Sequence, residues 1–168
     1  MKLLDIGAFN GDSALHFISY PDIDSIEAYD PNSDFTELWA AITKQYETIH
    51  FHNKAVYTKT DKIEFYKRPS QAPLGSTIMK SKIQNTEAET IVVDCVDILE
   101  IIPDEPFCMK LDADGAEYEI LERIIEANKA HLIDRLYVEW HDSKMTSDNY
   151  ARQIVIVNYF GKRIKAWL

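Results

Sequence analysis

The chain has 168 residues, of which 46% are apolar and 27% charged, a size and composition that suit one globular domain spanning residues 1–168 and exclude a low-complexity chain. Its formal net charge of -10 opposes nucleic-acid binding, which relies on lysine and arginine to displace counterions, so we expect no nucleic-acid partner. No apolar run approaches a membrane span and no basic leader opens the chain, so we expect a cytoplasmic protein without membrane contact.

The first predicted unit is a strand, a glycine turn and a helix. Leu3–Ile6 is predicted as a buried strand and Ser13–Ile18 as a helix, with Gly7 and Gly11 in the turn between them. Glycine lets the backbone approach a ligand closely. The spacing matches neither a dinucleotide fingerprint nor a P-loop, and the acids that flank the turn would repel a pyrophosphate. A ligand with a cation and hydroxyls fits better, and a ligand-free turn of another α/β fold is the alternative.

The second unit begins with a predicted strand, Ser25–Tyr29, that stops at Asp30–Pro31 because proline disfavours helical geometry in the residue before it. Asn32 is predicted to cap the helix that follows. Apolar residues recur there at helical spacing and form one stripe: Phe35, Leu38, Trp39, Ile42 and Tyr46.

The middle of the chain is predicted to be rich in strands. Ile49–Tyr57 and Ile63–Tyr66 are predicted strands, and the polar segment Thr58–Lys62 between them is predicted as a hairpin turn. The loop Arg68–Ser76 contains proline and glycine and is the most irregular stretch, so we predict a substrate loop there.

A further strand and a short helix follow this loop. Thr90–Val96 is the predicted strand, and Asp97 with Glu100 is predicted as a capping pair. Cys95 and Cys108 lie in apolar runs without Cys-x-x-Cys spacing. They are predicted to be buried free thiols, which suits a reducing compartment.

The last third repeats the pattern of strand and helix. Phe107–Leu111 is predicted as a buried strand that leads into an Asp112–Gly115 turn, and Leu136–Trp140 as another strand with His141 at its end. The helix between them is predicted to turn four residues inward: Ile120, Leu121, Ile124 and Ile125.

The alternation of strands and helices predicts an α/β fold, a mostly parallel sheet with helices on both faces. A final helix is predicted to begin at Ser147 and to stop at Gly161, before a closing strand within Arg163–Leu168. Ligands of such sheets bind outside the carboxyl ends of the strands. Four predicted strands end in polar residues, which marks this edge as the predicted active site: Asp5 with Gly7, Asp30, Asp112, and His141 after Glu139.

Six stretches carry a family resemblance: DIGAFNGD at 5–12, YDP at 29–31, NKAVY at 53–57, VDIL at 96–99, MKLDADGAEYEIL at 109–121 and VEWH at 138–141. Together they resemble the FkbM-type methyltransferase family over residues 3–141, and K-x-D-x-x-G-x-E at 110–117 is the most specific part. The resemblance implies a Rossmann-like class I methyltransferase fold, here shortened at both termini. It also implies S-adenosylmethionine as cofactor and O-methylation of hydroxyl groups.

The resemblance implies that Asp5, Gly7 and Gly11 line the methionine part of S-adenosylmethionine and that Asn10 also contacts the cofactor. It implies that Asp30 holds the ribose and that Asn53 and Ala55 lie near the adenine. A carboxylate at Asp30 can accept charge-assisted hydrogen bonds from both ribose hydroxyls. The alternative is that Asp30 only begins a turn. Asp5 and Asp12 suit the positive groups of the cofactor, although Asp12 is also a candidate helix N-cap.

The catalytic candidates are Asp112, Lys110 and His141. Methyl transfer to oxygen requires alignment, a dry pocket and an acceptor for the hydroxyl proton. Lys110 and Asp112 lie two apart on one strand, so their side chains project to the same face. Asp112 is the first candidate to contact the acceptor hydroxyl, and His141 is the second because its usual pKa is near neutrality. The structural alternatives are a Lys110–Glu117 ion pair and a turn role for Asp114.

Five polar residues near these strand ends suit a magnesium or manganese ion: Asp112, Asp114, Glu139, His141 and Asp142. Their spacing matches no dedicated metal loop, so the sequence assigns no metal ligand.

The expected acceptor is a small molecule or a glycan. Two other functions are open: a non-catalytic nucleotide-sensing or partner-binding module on the same fold, and an RNA ribose methyltransferase, which the negative charge opposes. A homodimer is also predicted, with the 68–89 segment closing the site, because apolar residues cluster near the carboxyl end: Tyr159, Phe160, Ile164, Trp167 and Leu168.

Overall fold

The computed structural model describes residues 1–69, 74–83, 87–141 and 147–166. The strands are β1 Lys2–Ile6, β2 Ser25–Tyr29, β3 Ile49–His52, β4 Ala55–Tyr57, β5 Asp61–Lys67, β6 Glu89–Asp97, β7 Phe107–Leu111, β8 Ile133–Val138 and β9 Ile164–Ala166. The helices are α1 Asp12–Phe17, α2 Thr36–Gln45, α3 Ile98–Ile101, α4 Glu117–Glu126 and α5 Ser147–Phe160. No helix among the described residues is long and apolar enough to cross a membrane.

The main sheet has six strands in the order β3-β2-β1-β7-β8-β9, and every pair in it is parallel. The carboxyl ends of parallel strands lie at one edge of a sheet. The strands that the sequence predicts to end in polar residues are β2, β1, β7 and β8, and these are consecutive in the order. The predicted edge of polar residues is therefore confirmed.

Helices cover both faces of this sheet, as predicted. Along β1, Leu3 packs against α1 and α2, whereas Leu4 and Ile6 pack on the face that α3, α4 and α5 cover. Each buried apolar side chain of this kind contributes about 1.5–3 kcal/mol relative to exposure. The alternation along β1 also determines where its one acid points, because Asp5 shares a face with Leu3.

A second sheet of three strands lies beside the first, in the order β4-β6-β5. The β4–β6 pair is parallel and the β5–β6 pair is antiparallel. The predicted hairpin is therefore wrong, because β6 lies between the two strands that it would join. The predicted strand Ile49–Tyr57 also breaks at Asn53–Lys54, where the chain passes from one sheet to the other. The side chain of Asn53 donates to the backbone oxygen of Asp30 at 2.9 Å and stabilises this bend.

The predicted caps Asn32 and Asp97 are confirmed, whereas Asp12 and Glu100 do not act as predicted. Asn32 and Asp97 each accept a hydrogen bond from the backbone N–H two residues on, at 3.1 and 3.0 Å. Asn32 begins a short 3₁₀ turn that precedes α2. Asp12 is not a cap, because Gly11 occupies the N-cap position of α1 in a left-handed conformation, without a side-chain hydrogen bond. Glu100 accepts from Thr60 rather than completing the predicted capping pair.

The predicted apolar stripes are largely correct. In α2, Trp39 and Ile42 are buried, but Leu38 is 46% exposed because the helix turns it away from the sheet. In α4, the predicted inward residues are buried except Ile125, which is half-buried. Near the carboxyl end, Phe160 is buried. Parts of the predicted loop Arg68–Ser76 and of the predicted closing strand lie outside the described residues. Three residues named in the sequence analysis also lie outside them: Asp142, Trp167 and Leu168.

Candidate active site

A cavity of about 320 Å³ opens at the carboxyl edge of the main sheet. Its wall includes Gly7, Asp30 and Asp112, which directly follow β1, β2 and β7 of the main sheet, and the second sheet contributes Val56 and Phe65. Other lining residues come from the loops at this edge: Phe9, Asn32, Thr77, Asp114, Glu139 and His141. The cavity therefore has one polar wall, which follows the parallel strands, and one largely apolar wall.

The two glycines of the first turn have different surroundings. Gly7 lines the cavity with a φ of 76°, and a Cβ there would lie 1.7 Å from the backbone oxygen of Asp112. Gly11 has a φ of 89°, and its Cβ would lie 2.5 Å from Cδ1 of Ile42 in the core. Gly11 does not line the cavity. Its positive φ and its contact with Ile42 favour glycine for packing reasons, and its predicted contact with a ligand stays a prediction.

Asp5 and Asn10, which the resemblance assigns to the cofactor, do not line the cavity either. Asp5 is fully buried and accepts a hydrogen bond from Ser13 at 2.6 Å, and burial raises the pKa of its carboxyl. Asn10 donates to the Asp12 carboxylate at 2.8 Å, an exposed contact. Because side chains alternate along a strand, Asp5 points toward α1. Its hydrogen bond with Ser13 connects β1 to α1 across the glycine turn.

Lys110 joins the ends of β1 and β7. Its side chain is 2% exposed and its Nζ lies 3.5 Å from Asp5 and 3.2 Å from Asp112. The same Nζ donates to the backbone oxygen of Gly7 at 2.6 Å. Burial opposes its charge, but the two carboxylates outweigh burial and raise the pKa of Lys110. The predicted alternative, a pair with Glu117, is wrong, and Lys110 acts on the cavity through the residues it holds.

Asp30 lines the cavity and also forms the turn that the sequence offered as an alternative. Its two carboxylate oxygens accept backbone hydrogen bonds from Phe9 at 2.9 Å and Asn32 at 2.8 Å. Burial raises the pKa of Asp30 to about 6, and these two hydrogen bonds oppose the rise. A carboxylate offers about four acceptor positions, so Asp30 keeps capacity for a ligand.

Of the two residues assigned to the adenine, one lines the cavity and the other does not. Ala55 lines the cavity at the start of β4. Asn53 is exposed and outside the lining, and its side chain donates to the backbone oxygen of Asp30. Asn53 therefore supports the Asp30 turn, whereas Ala55 is available for direct contact.

His141 lies at the centre of an acidic cluster at the cavity wall. Its Nε2 is 3.4 Å from Asp114, 3.7 Å from Asp112 and 3.8 Å from Glu139, and its Nδ1 is 3.0 Å from Glu117. Asp112 and His141, the leading catalytic candidates, are thus neighbours, and both are accessible from the cavity.

Glu117 is the residue of this cluster whose contact with His141 the sequence did not predict. It is fully buried, and its Oε1 accepts hydrogen bonds from the backbone N–H of Ala113 at 2.9 Å and of Gly115 at 3.0 Å. Burial acts to raise the pKa of Glu117, but hydrogen bonds from His141 and Gly115 prevail and lower it. The final acid of the K-x-D-x-x-G-x-E stretch was the available signal.

This combination of a parallel sheet flanked by helices, a glycine turn after β1 and a carboxylate after β2 defines a Rossmann-like α/β fold of the methyltransferase class. The chain belongs to the methyltransferase FkbM domain family, whose model matches residues 5–165. The resemblance inferred from the sequence is therefore confirmed.

A solved structure supports the same fold. The chain is similar to the crystal structure of methyltransferase FkbM from Methylobacillus flagellatus KT, with a TM-score of 0.61 and 18% sequence identity. The match covers 94% of this chain and 36% of that one, so this chain spans little more than a third of its structural neighbour. A comparison with curated proteins gives no significant match.

Proposed function

We propose that this chain is an S-adenosylmethionine-dependent O-methyltransferase that acts on a hydroxyl group of a sugar, a glycan or a small metabolite. The observation that carries the proposal is the cavity that has Asp30 on one part of its wall and the Asp112–His141 cluster on another. The first provides a hydrogen-bonding site for a ribose, and the second provides groups that accept a proton. Both lie at the edge where α/β sheets bind their ligands.

The cavity residues fit this cofactor. Asp30 has acceptor capacity for two ribose hydroxyls, and such charge-assisted hydrogen bonds are stronger than neutral ones. Gly7 brings the backbone to the cavity surface without a side chain. Ala55, Val56 and Phe65 offer an apolar surface for an aromatic base. S-adenosylmethionine supplies a methyl group that is activated by a positively charged sulfur.

The carboxylates of the polar wall suit the positive charge of such a cofactor. Asp112 and Asp114 line the cavity with side chains that are 25% and 26% exposed. They take the role that the sequence assigned to Asp5 and Asp12, neither of which lines the cavity. In a partly dry cavity, an attraction between opposite charges is stronger than in water.

The acceptor hydroxyl must lose one proton for each methyl group that it gains. Oδ1 of Asp112 and Nε2 of His141 are the atoms that we propose to receive it, because both residues line the cavity and the two atoms lie 3.7 Å apart. Lys110 holds the other Asp112 oxygen at 3.2 Å, and Glu117 holds Nδ1 of His141 at 3.0 Å. Lys110 and Glu117 are therefore positioning residues for the proton acceptors.

The first experiment is a calorimetric titration of the chain with S-adenosylmethionine and S-adenosylhomocysteine. We expect saturable binding of both, and absence of binding at millimolar concentration would reject the proposal. Asp34→Asn is the matched control for substitutions of Asp30, because it removes a nearby carboxylate that does not line the cavity.

The second experiment separates an enzyme from a binding module on the same fold. Methyl-labelled cofactor is incubated with the chain and with glycan or metabolite fractions, and the label is followed through mild alkali. A methyl ether survives this treatment and a methyl ester does not. Transfer of stable label to a hydroxyl compound is expected, whereas cofactor binding without transfer to any fraction favours the non-catalytic alternative. Salt-sensitive RNA binding would favour the RNA ribose methyltransferase.

A further inference from the structure

The cluster around His141 has the donor spacing of a cation site. One carboxylate oxygen of Asp112, one of Glu117 and one imidazole nitrogen of His141 lie within 4.8 Å of one another. Two ligands of one metal ion, each about 2.1–2.2 Å from it, lie roughly 3–4.4 Å apart. Small side-chain rotations would therefore bring these three donors onto a single ion.

Glu117 supplies an independent indication that a ligand binds here. Its Oε1 is occupied by backbone N–H groups and by His141. Its Oε2 is buried and has no hydrogen-bond partner among the described residues. A buried carboxylate oxygen without a partner is costly, and a bound cation would remove that cost. The same carboxylate faces Asp112 and His141, as their mutual distances require.

The charges around the cluster also favour a cation. Asp112, Asp114, Glu117 and Glu139 surround His141, and each carries a carboxylate. Lys110 offsets part of this charge, but it is shared between Asp112 and the buried Asp5. The carboxylates therefore outnumber the lysine that pairs with them, and their mutual repulsion would fall if a divalent ion were bound.

We propose that Asp112, Glu117 and His141 bind one divalent cation at the wall of the cavity. Two carboxylates and one imidazole suit Mn²⁺, because carboxylates prefer hard ions and an imidazole nitrogen is a ligand for first-row transition metals. Binding of one ion by both Glu117 and His141 would replace the hydrogen bond between Nδ1 of His141 and Oε1 of Glu117, because the two imidazole nitrogens point away from each other. The other imidazole nitrogen, Nε2, lies 3.7 Å from Asp112.

The role of the ion rests on the proposed function. An acceptor hydroxyl oxygen bound to a divalent cation loses its proton more readily than a free hydroxyl does. With the ion bound, Asp112 and His141 would be its ligands instead of proton acceptors, and the proton of the hydroxyl would leave to solvent water. Binding of the ion does not require the acceptor, so it can be tested separately.

The test is a calorimetric titration of the full chain with Mn²⁺, with the signal of free Mn²⁺ followed in parallel by electron paramagnetic resonance. We expect one saturable site per chain. Asp112→Asn and His141→Gln are each expected to weaken Mn²⁺ binding at least tenfold. Asp104→Asn is the matched control, because it removes an exposed carboxylate before β7, at the opposite end of the sheet, and it is expected to leave affinity unchanged.

The outcomes separate the ion from the cofactor. Circular dichroism of each variant shows whether it is folded. Asp112 and His141 are partly exposed, so their variants are expected to fold, and the test does not depend on a substitution of the buried Glu117. No saturable Mn²⁺ binding, with or without S-adenosylhomocysteine, would overturn the ion site, as would equal weakening by Asp104→Asn and Asp112→Asn. If the chain binds S-adenosylhomocysteine but not Mn²⁺, only the ion site is rejected. If it binds Mn²⁺ but not S-adenosylhomocysteine, only the proposed function is rejected.

Discussion

Asp30 combines a structural role in a turn with the ribose-binding role that we propose for it. Backbone donors from Phe9 and Asn32 hold both oxygens in place, while the side chain still faces the cavity. The turn and the ribose site are therefore not competing interpretations, because the turn is what orients the carboxylate. A sequence shows that an acid follows β2, but not that two backbone N–H groups converge on it.

Replacement of Asp30 tests this role. Asp30→Asn should weaken the binding of S-adenosylhomocysteine by about 1–3 kcal/mol, because a charge-assisted hydrogen bond is lost. Calorimetry measures the change, and Asp34→Asn should bind like the parent. If Asp30→Asn binds as tightly as the parent, Asp30 serves the turn alone.

The raised pKa of Asp30 gives cofactor binding a pH dependence. Burial raises this pKa to about 6, so the carboxylate is charged at pH 7.5 and largely protonated at pH 5 in the free protein. Ribose hydroxyls donate to the charged form, so binding at pH 5 requires loss of a proton. Affinity for S-adenosylhomocysteine should fall about tenfold between pH 7.5 and pH 5. The same pair of titrations on Asp30→Asn should show a much smaller fall, and an equal fall in both would contradict the assignment.

The buried Lys110 is predicted to matter more for stability than for chemistry. Lys110→Met leaves the Asp5 carboxylate buried without its cation, which should cost about 3–5 kcal/mol in the free energy of unfolding. The double variant Asp5→Asn with Lys110→Met removes both charges and should recover a large part of that loss. Urea denaturation measures both values. A double variant as unstable as Lys110→Met would show that the Asp5 pair is not the cause.

At the scale of elements, the sequence predicted the order of strands and helices well, because apolar periodicity and caps are local signals. It did not predict how the strands pair in the second sheet. β4 and β5 are neighbours in sequence, yet both pair with β6, which begins at Glu89. Such pairing depends on distant residues, and no local pattern in Thr58–Lys62 reveals it.

For the candidate site, the sequence predicted some of the residues that line the cavity and not others. Gly7, Asp30, Asp112 and His141 lie at the cavity, because the topology brings strand ends together and the sequence shows where strands end. Asp5 lies outside the cavity lining and bonds to Ser13 of α1, and its orientation depends on which face of β1 meets α1. In the wall from the second sheet, Ala55 was expected near the ligand, but Val56 and Phe65 were not, because their positions follow from the pairing that the sequence did not show.

The turn between β1 and α1 provides a test at this scale. Gly7→Ala should prevent folding or cost more than about 3 kcal/mol, because its Cβ would lie 1.7 Å from a backbone oxygen of Asp112. Gly161→Ala is the matched control, since Gly161 also has a positive φ, of 55°, but its Cβ would meet nothing within 4 Å. The control should cost about 1–2 kcal/mol from backbone strain alone. Thermal unfolding measures both, and equal losses would mean that the contact with Asp112 is unimportant.

At the scale of the whole molecule, the outer face of α5 is the strongest basis for the predicted homodimer. Val155 is 64% exposed, Tyr150 is 59% exposed and Ile154 is 45% exposed on this helix, which precedes the edge strand β9. A group of exposed apolar side chains tends to be covered by a partner.

Light scattering tests the dimer. At micromolar concentration, the mass should be twice the 19.4 kDa of the chain. Val155→Asp should reduce the mass to that of a monomer, because a dimer through α5 would bury the new charge. Val92→Asp, at a residue of the second sheet that is 67% exposed, should not change the mass. A monomer at every concentration would remove the prediction.

The position of β1 in the main sheet has a consequence for synthesis on the ribosome. Its neighbours are β2, which follows soon after it in the sequence, and β7, which follows much later. In the second pair, Leu3 lies opposite Cys108. While the ribosome adds the residues between β2 and β7, one edge of β1 has no partner strand, and the nascent chain exposes it. Completion of the sheet is therefore a late event that depends on contacts distant in sequence, which slow folding. We expect the growing chain to need a chaperone more than the finished domain does.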